Sequence, residues 1–333
     1  MYKAENLIIA LVFAFSVQGS NLAFADPENW KHEWPKTDFS KTSVDYNEIL
    51  SGGPPKDGIP AIDNPSFISL DKADHIKDTE PVIGVVIDGQ AKAYPLQVLM
   101  WHEIVNDTLG GVPITVTFCP LCNASIVFDR RFKTKNNEDI ILDFGTTGKL
   151  RRSDLVMYDR QSESWWQQFT GNAIVGELTG RSLKMLPARI ESFIRFKTRN
   201  PEGQVLIPNN QNERAYGLNP YKGYDSLSTP YLYGGELPKN ISPLARVITS
   251  EGQTWSLDYL RAERQIKADN GLIIEWEKGQ NSALDAAVIG DGVDIGNVIA
   301  YRMVASEKTD VLYSVDFAFA HFAFKPEIPI ITK

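Results

Sequence analysis

Two cysteines are the residues whose type and spacing most directly predict chemistry in this chain. Cys119 and Cys122 are the only cysteines among 333 residues, and they flank Pro120 and Leu121 in a single Cys-x-x-Cys motif. One pair cannot staple a disulfide scaffold of this length, and two thiolates cannot complete a four-cysteine metal site. The chemistry of the protein is therefore expected at one short turn.

Three interpretations of this pair compete. In a metal-binding knuckle the residue after the second cysteine often has a positive φ, which Asn123 tolerates well, and Pro120 fixes the turn. A thiol–disulfide redox enzyme would place its first cysteine at a helix N-terminus, whereas the residues after Cys122 look like a turn entering a strand. The third interpretation is a structural or interaction module with a static disulfide, formed in an oxidising compartment. We favour the metal knuckle.

A metal site needs ligands besides two thiolates, and His102 is the best placed of the four histidines. It lies at a predicted helix-to-strand transition, just before the strand that ends at Cys119. Its alternative role is that of a hydrogen-bonded structural histidine. Met157 is a candidate soft fourth ligand, and Glu103 is a candidate outer partner or acid/base. The expected metal ligands are therefore His102, Cys119, Cys122 and Met157.

This ligand set also indicates the metal. Thiolate, imidazole and thioether together favour copper, whereas a carboxylate or water in the set would suit zinc or iron. We therefore expect copper first, with zinc or iron as the alternatives.

Short β-like runs must position these residues. Strand signals with β-branched residues recur about every ten residues from Val82 onward, beginning with a hairpin around Asp88-Gly89. They predict a β-rich α+β fold with many short antiparallel strands, a few short helices and two similar halves. The similarity is faint, with two residues gapped and chance as the alternative: Val86-Ile87, Gly89-Gln90, Leu96 and Leu99 resemble Val247-Ile248, Gly252-Gln253, Leu257 and Leu260.

Composition divides the chain into five segments. They are a signal peptide (1–25), an extended N-terminal arm (26–65), a β-rich half that carries the cysteines (66–200), a loop-rich connection (201–245) and a second β-rich half (246–333). The second half would be a degenerate copy of the first that has lost the cysteine pair. The connection is rich in Gly, Pro and Tyr and is expected to be a linker or a lid.

The N-terminus has the pattern of an exported protein. One lysine precedes an apolar run over 7–17, and Ala23-Phe24-Ala25 is a small-x-small cleavage pattern. The run is too short to span a bilayer comfortably, and no later stretch approaches 18 consecutive apolar residues. We expect a periplasmic or secreted protein without a membrane span in its mature form, and with a metal or redox partner protein in that compartment.

The charge balance excludes some classes of function. The chain has 34 basic and 42 acidic residues, which gives a net charge of −8. Such a protein is a poor nucleic-acid binder because phosphate contact needs a basic patch. The sequence also lacks a phosphate-binding loop, so no nucleotide cofactor is expected.

Several short motifs form a specific combination over about residues 50–210. They are Asp57–Pro65, Ala93–Leu96, Trp101–Asp107, Phe118–Cys122, Phe128–Arg130, Phe144–Gly145, Met157–Arg160, Glu163–Trp165 and Gly176–Gly180. The combination resembles a bacterial and archaeal family catalogued as domain of unknown function 3179. The resemblance implies export and implies no activity. It groups nine residues as one set: His102, Glu103, Cys119, Cys122, Tyr158, Asp159, Arg160, Ser164 and Trp165.

Overall fold

The computed structural model describes residues 27–134 and 136–333, so the predicted signal peptide lies outside the described residues. Within them strands predominate and nearly all strand pairs are antiparallel. The prediction of a β-rich fold with many short antiparallel strands and few short helices is confirmed. The helices are α1 (Pro27–Trp30), α2 (Leu96–His102), α3 (Phe193–Arg199), α4 (Leu257–Glu263) and α5 (Ala318–Phe324).

The strands fall into two groups along the chain. The first group is β1 (Ile49–Ser51), β2 (Ser66–Ser69), β3 (Pro81–Ile87), β4 (Gln90–Pro95), β5 (Ile104–Leu109), β6 (Val112–Cys119), β7 (Ala124–Asp129), β8 (Arg131–Lys133), β9 (Asp139–Ile141), β10 (Phe144–Arg151), β11 (Asp154–Asp159), β12 (Trp165–Gln167), β13 (Asn172–Val175), β14 (Lys184–Leu186), β15 (Arg189–Ser192) and β16 (Gln204–Ile207). The second group is β17 (Arg246–Ser250), β18 (Gln253–Ser256), β19 (Gln265–Lys267), β20 (Ile273–Glu277), β21 (Asn297–Val304), β22 (Glu307–Asp310), β23 (Tyr313–Phe317) and β24 (Ile330–Ile331).

The same order of elements occurs twice. In the first copy the hairpin β3–β4 leads into α2 and then into a sheet ordered β5-β6-β7-β14. In the second copy the hairpin β17–β18 leads into α4 and then into a sheet ordered β19-β20-β21-β22. In each copy the hairpin also pairs on one side with an antiparallel strand that precedes a helix, and on the other side with a parallel strand. These strands are β15 and β16 in the first copy, and β23 and β24 in the second. The two halves therefore share one sheet topology.

The turns of the two hairpins have the same left-handed backbone. Asp88 and Gly89 have φ of 48° and 72°, and Glu251 and Gly252 have 47° and 77°. Positive φ at both central positions is typical of a tight hairpin turn. The first hairpin has six residue pairs and the second has four. When the two hairpins are aligned at the helix that follows each of them, Val247-Ile248 corresponds to residues 82–83. The sequence comparison had aligned Val247-Ile248 with Val86-Ile87 instead.

The copies differ at the position of the cysteines. In the first copy a four-residue turn, residues 120–123, connects β6 to β7. At the same place in the second copy, residues 278–296 form a long loop between β20 and β21. The first copy also carries an insertion from β8 to β13, and its strands β10 to β13 join β1 in the five-stranded sheet β1-β10-β11-β12-β13.

One hydrophobic core joins both halves, because Cys119, Cys122 and Met157 belong to the same buried cluster as Trp255 and Phe317. The predicted N-terminal arm packs through a second cluster, in which the fully buried Trp34 contacts Tyr158 and Trp165. No helix in the described part of the chain is long and apolar enough to cross a bilayer.

The predicted connection is only partly a loop. Its first residues form β16, where Val205-Leu206-Ile207 is a short apolar run that supports a strand. The rest, residues 208–245, contains one short 3-10 turn (Tyr224–Ser226). We call residues 208–245 the strap.

Candidate metal centre

The turn between β6 and β7 brings the two cysteines together. Cys119 ends β6 and pairs with Ala124, and the backbone of Asn123 has a φ of 52°. The knuckle geometry expected for Asn123 is thus present. Both thiols are free, and both point at the carbonyl oxygen of Ser153, with Sγ–O distances of 3.8 Å for Cys119 and 3.4 Å for Cys122. The pair lies between two strands, and not at a helix N-terminus.

A second hairpin turn supplies a carboxylate to these thiols. Arg152 and Ser153 connect β10 to β11 with left-handed φ angles of 54° and 65°, and Asp154 follows. Ligand atoms of Cys119, Cys122 and Asp154 all lie within 4.8 Å of one another, and the three residues are buried. In residues 27–134 and 136–333, this is the one group of three such side chains close enough to hold a metal ion.

The two oxygens of Asp154 have different surroundings. Oδ2 accepts hydrogen bonds from Nε2 of Gln167 at 2.6 Å and from the backbone N–H of Phe169 at 2.9 Å. Oδ1 is buried and has no hydrogen-bond partner. Outer hydrogen bonds that fix one oxygen and leave the other open are typical of a metal-binding carboxylate.

Glu103 adds a second carboxylate beside this group. It directly follows α2 with a φ of 57°; its backbone N–H donates to the carbonyl oxygen of Leu99 at 2.7 Å, and its carbonyl oxygen accepts the N–H of Phe118 at 2.8 Å. Its side chain is buried, and among the described residues none donates a hydrogen bond to its carboxylate. Burial, followed by the neighbouring charge of Asp154, raises the pKa of Glu103 to about 8.

Asp316 approaches the knuckle from the second half. The next residue, Phe317, donates its backbone N–H to the carbonyl oxygen of Cys122 at 2.9 Å. Oδ2 of Asp316 accepts a hydrogen bond from Ser314, while Oδ1 is buried without a partner. Burial raises the pKa of Asp316 to about 6.

Burial dominates the electrostatics of the centre. It raises the pKa of Asp154 to about 7, raises the pKa of the Cys119 thiol, and raises that of Cys122 well above its ordinary value. Neighbouring acidic groups add to this effect on both thiols. Within the described residues, no lysine or arginine lies within ion-pair distance of Glu103, Asp154 or Asp316, and Lys325 acts on Asp316 only from farther away, where it lowers the pKa of that carboxyl. The centre therefore gathers acidic groups without a paired cation.

His102 lies outside this group of ligand atoms. Its Nδ1 bonds to the carbonyl oxygen of Pro60 at 2.8 Å, and its Nε2 bonds to the hydroxyl of Tyr216 at 2.7 Å. Since a carbonyl oxygen only accepts, Nδ1 carries the proton and Nε2 accepts from Tyr216. These contacts are those of the structural alternative, and the ligand role of His102 stays a prediction.

Met157 lies in the middle of β11, opposite Trp166, and packs in the main core. Its role as a ligand also stays a prediction. The other residues that the resemblance groups together have structural contacts. Tyr158 and Trp165 pack on the arm, and Asp159 accepts hydrogen bonds from Ser162 and Trp166.

Sequence reasoning missed Asp154. The one available signal is an acidic residue directly before the apolar run Leu155-Val156-Met157 in a strand that proves to be buried on both faces. A carboxylate in such a strand needs a partner. Its proximity to the cysteines depends on how two separate hairpins pack, and that information is not local.

Comparison with known proteins gives one match. A family model described as a protein of unknown function (DUF3179) matches residues 56–328. The match extends beyond the motifs at 50–210 and includes the second copy of the repeated topology. No curated protein and no solved structure matches the chain.

Proposed function

This chain belongs to the DUF3179 family, and we propose that it is an exported protein that binds a divalent metal ion through Cys119, Cys122 and Asp154. The observation that carries the proposal is the buried Oδ1 of Asp154. This oxygen has no hydrogen-bond partner. The ligand atom of Asp154 lies within 4.8 Å of the ligand atoms of both cysteines. The leader pattern over residues 1–25 supports export.

A cation explains why these acidic groups are gathered. Burying an ionised carboxylate or thiolate without a partner is costly, so protons keep the groups neutral when no metal is bound. A divalent ion replaces those protons and pairs with the negative charges that remain. The raised pKa values of Glu103, Asp154 and the thiols agree with a centre built for a cation.

Zinc is the metal that this donor set fits best. Two thiolates and a carboxylate suit zinc, with iron next, whereas copper was expected on the basis of His102 and Met157. The lone pair of His102 is instead engaged by Tyr216. We assign the fourth ligand position to Glu103: it lies outside the group of three, but its carboxylate accepts no hydrogen bond from the described residues and lies within electrostatic reach of Asp154 and Cys119.

The redox alternative has less support from the geometry. An attacking dithiol needs a thiolate near neutral pH, usually lowered in pKa by a helix N-terminus or a nearby cation. Here both thiols have raised pKa values and lie between strands. A static disulfide remains the competing outcome of the experiment below.

Metal analysis with thiol titration on protein isolated from its native compartment tests the proposal. We expect stoichiometric zinc and two thiols that titrate after unfolding in chelator, and we expect Asp154→Asn to lose the metal. His102→Ala and Met157→Leu are matched variants that should keep it. If those two lose the metal while Asp154→Asn keeps it, the sequence-derived ligand set is correct instead. Reduced thiols without metal, or a disulfide in the wild type, would overturn the proposed function.

A further inference from the structure

The strap covers the metal centre with tyrosines. We infer that the strap is a lid that closes the centre and sets the rate at which the metal ion enters and leaves. The inference rests on the proposed metal-binding function, and it is carried by hydrogen bonds from the strap to both turns of the centre and to a long loop of the second copy.

Tyr224 binds the strap to the cysteine turn. Its side chain is fully buried, and its hydroxyl donates to the carbonyl oxygen of Leu121, between the two cysteines, at 3.0 Å. The same hydroxyl accepts the backbone N–H of Tyr231 at 3.3 Å. The carbonyl oxygen of Tyr231 in turn accepts the hydroxyl of Ser153, beside Asp154, at 2.6 Å. Tyr224 and Tyr231 thus link the strap to both ligand-bearing turns.

Two further tyrosines of the strap complete the cover. Tyr216 donates to Nε2 of His102 at 2.7 Å and stacks on its ring. The phenol of Tyr221 lies within electrostatic reach of Glu103 and Cys119, whose charges add to burial in raising its pKa. Through Tyr216 the strap therefore contacts the residue that directly precedes Glu103, and Tyr221 extends the strap toward Glu103 itself.

The second copy anchors the strap. Asp225 accepts hydrogen bonds from Arg246 at 3.0 Å and from Ser282 at 2.6 Å. The backbone N–H groups of Gly223 and Tyr224 donate to carbonyl oxygens in the loop 278–296. This is the loop that takes the place of the cysteine turn in the second copy. The first copy therefore supplies the thiols, and the second copy holds the lid over them.

Burial requires this lid to move when metal is exchanged. Cys119 and Cys122 are 1% and 0% exposed, so an ion from solvent reaches them only after a covering segment moves. Lifting the strap breaks the Tyr224–Leu121 and Tyr216–His102 hydrogen bonds. Weakening either bond should speed exchange in both directions and leave the equilibrium affinity nearly unchanged, because the ligands are intact.

The rate at which zinc passes from the loaded, full-length mature protein to excess chelator measures how often the lid opens. We expect Tyr224→Phe and Tyr216→Phe each to release zinc about fivefold faster, the effect of losing roughly one hydrogen bond. Tyr233→Phe is the matched control, because that hydroxyl bonds only within the strap, to Glu236 at 2.9 Å. It should release zinc at the wild-type rate.

Ser282→Ala is the second line of evidence. It loosens the anchor at Asp225 without touching the cysteine turn, so it should also speed release, and it keeps the inference testable if Tyr224→Phe folds poorly. If the folded Tyr224→Phe, Tyr216→Phe and Ser282→Ala variants release zinc at the wild-type rate, the inference that the strap is a lid is overturned. A wild-type protein that binds no zinc would overturn the proposed function itself, and the two failures are therefore distinguishable.

Discussion

Gln167 donates a hydrogen bond to Oδ2 of Asp154 at 2.6 Å, while Oδ1 of the same carboxylate has no partner. Gln167 ends β12 and is buried, so it holds the carboxylate from the neighbouring strand. Through this bond Gln167 is a positioning residue for the metal centre. Its effect on zinc is indirect and can be separated from that of the ligands.

Replacing Gln167 by Leu should weaken zinc binding about tenfold, because an outer partner that orients a ligand contributes this much to metal affinity. Competition with a chromophoric chelator at fixed pH measures the change. Gln161→Leu is the control, since it removes a similar amide–carboxylate bond, to Asp143, on the exposed surface. Equal zinc affinity in wild type and Gln167→Leu would show that Gln167 does not position Asp154.

The metal-free protein should lose stability as pH rises, and Glu103 should account for much of that loss. Its folded pKa is about 8 against an ordinary value of 4.5. Between these values the unfolded chain has released the proton and the folded chain has kept it. The free energy of unfolding therefore falls by about 1.4 kcal/mol per pH unit for this group. The stabilising contribution is complete below pH 4.5 and is lost by pH 8.

Urea denaturation in chelator and reductant at several pH values from 5 to 8 checks this. Glu103→Gln should show a shallower decrease than wild type, because the amide does not titrate. Asp258→Asn, an exposed change in the helix α4, should leave the wild-type slope unchanged. Parallel curves for wild type and Glu103→Gln would mean that Glu103 is ionised in the folded protein.

Asn123 is the residue that makes the cysteine turn possible, and its substitutions should separate two contributions. Its φ of 52° favours glycine and asparagine over alanine and larger residues, and its Nδ2 donates to the carbonyl oxygen of Val315 at 2.9 Å. Asn123→Ala loses both features and should cost about 2 kcal/mol of unfolding free energy. Asn123→Gly keeps the backbone conformation and should cost about half as much. If the two variants are equally destabilised, the hydrogen bond to Val315 dominates and the backbone term is negligible.

Local patterns predicted the parts of the centre that are local. The Asp88-Gly89 hairpin, the strand-bounded cysteine turn and the left-handed Asn123 all follow from a few adjacent residues. The topological repeat has only faint sequence similarity, because the second hairpin is shorter and the cysteine turn is replaced by a long loop. Sheet topology persists through such changes, since any apolar residues of the right period satisfy it.

Long-range packing decided the rest. His102 was expected to meet Cys119 because β5 pairs with β6, and the strands do pair. The left-handed turn at the end of α2 instead places Glu103 near the thiols and leaves His102 with Pro60 and Tyr216. Asp154 comes from a different hairpin, in the insertion, so no spacing within the cysteine motif could indicate it. Local sequence patterns predict neither the positive φ at Glu103 nor the packing of the β10–β11 hairpin against the β6–β7 hairpin.

The contacts of β23 with the cysteine turn make the thiols a reporter of the far end of the chain. Val315 is hydrogen-bonded to Asn123, and Phe317 is hydrogen-bonded to Cys122. Solvent can therefore reach the sulfurs from that side only after β23 detaches. With the strap unchanged, an increase in the rate at which a small alkylating reagent modifies the metal-free cysteines would then report more frequent undocking of residues 313–317. A destabilising substitution near the C-terminus would be detected as faster alkylation about two hundred positions earlier in the chain.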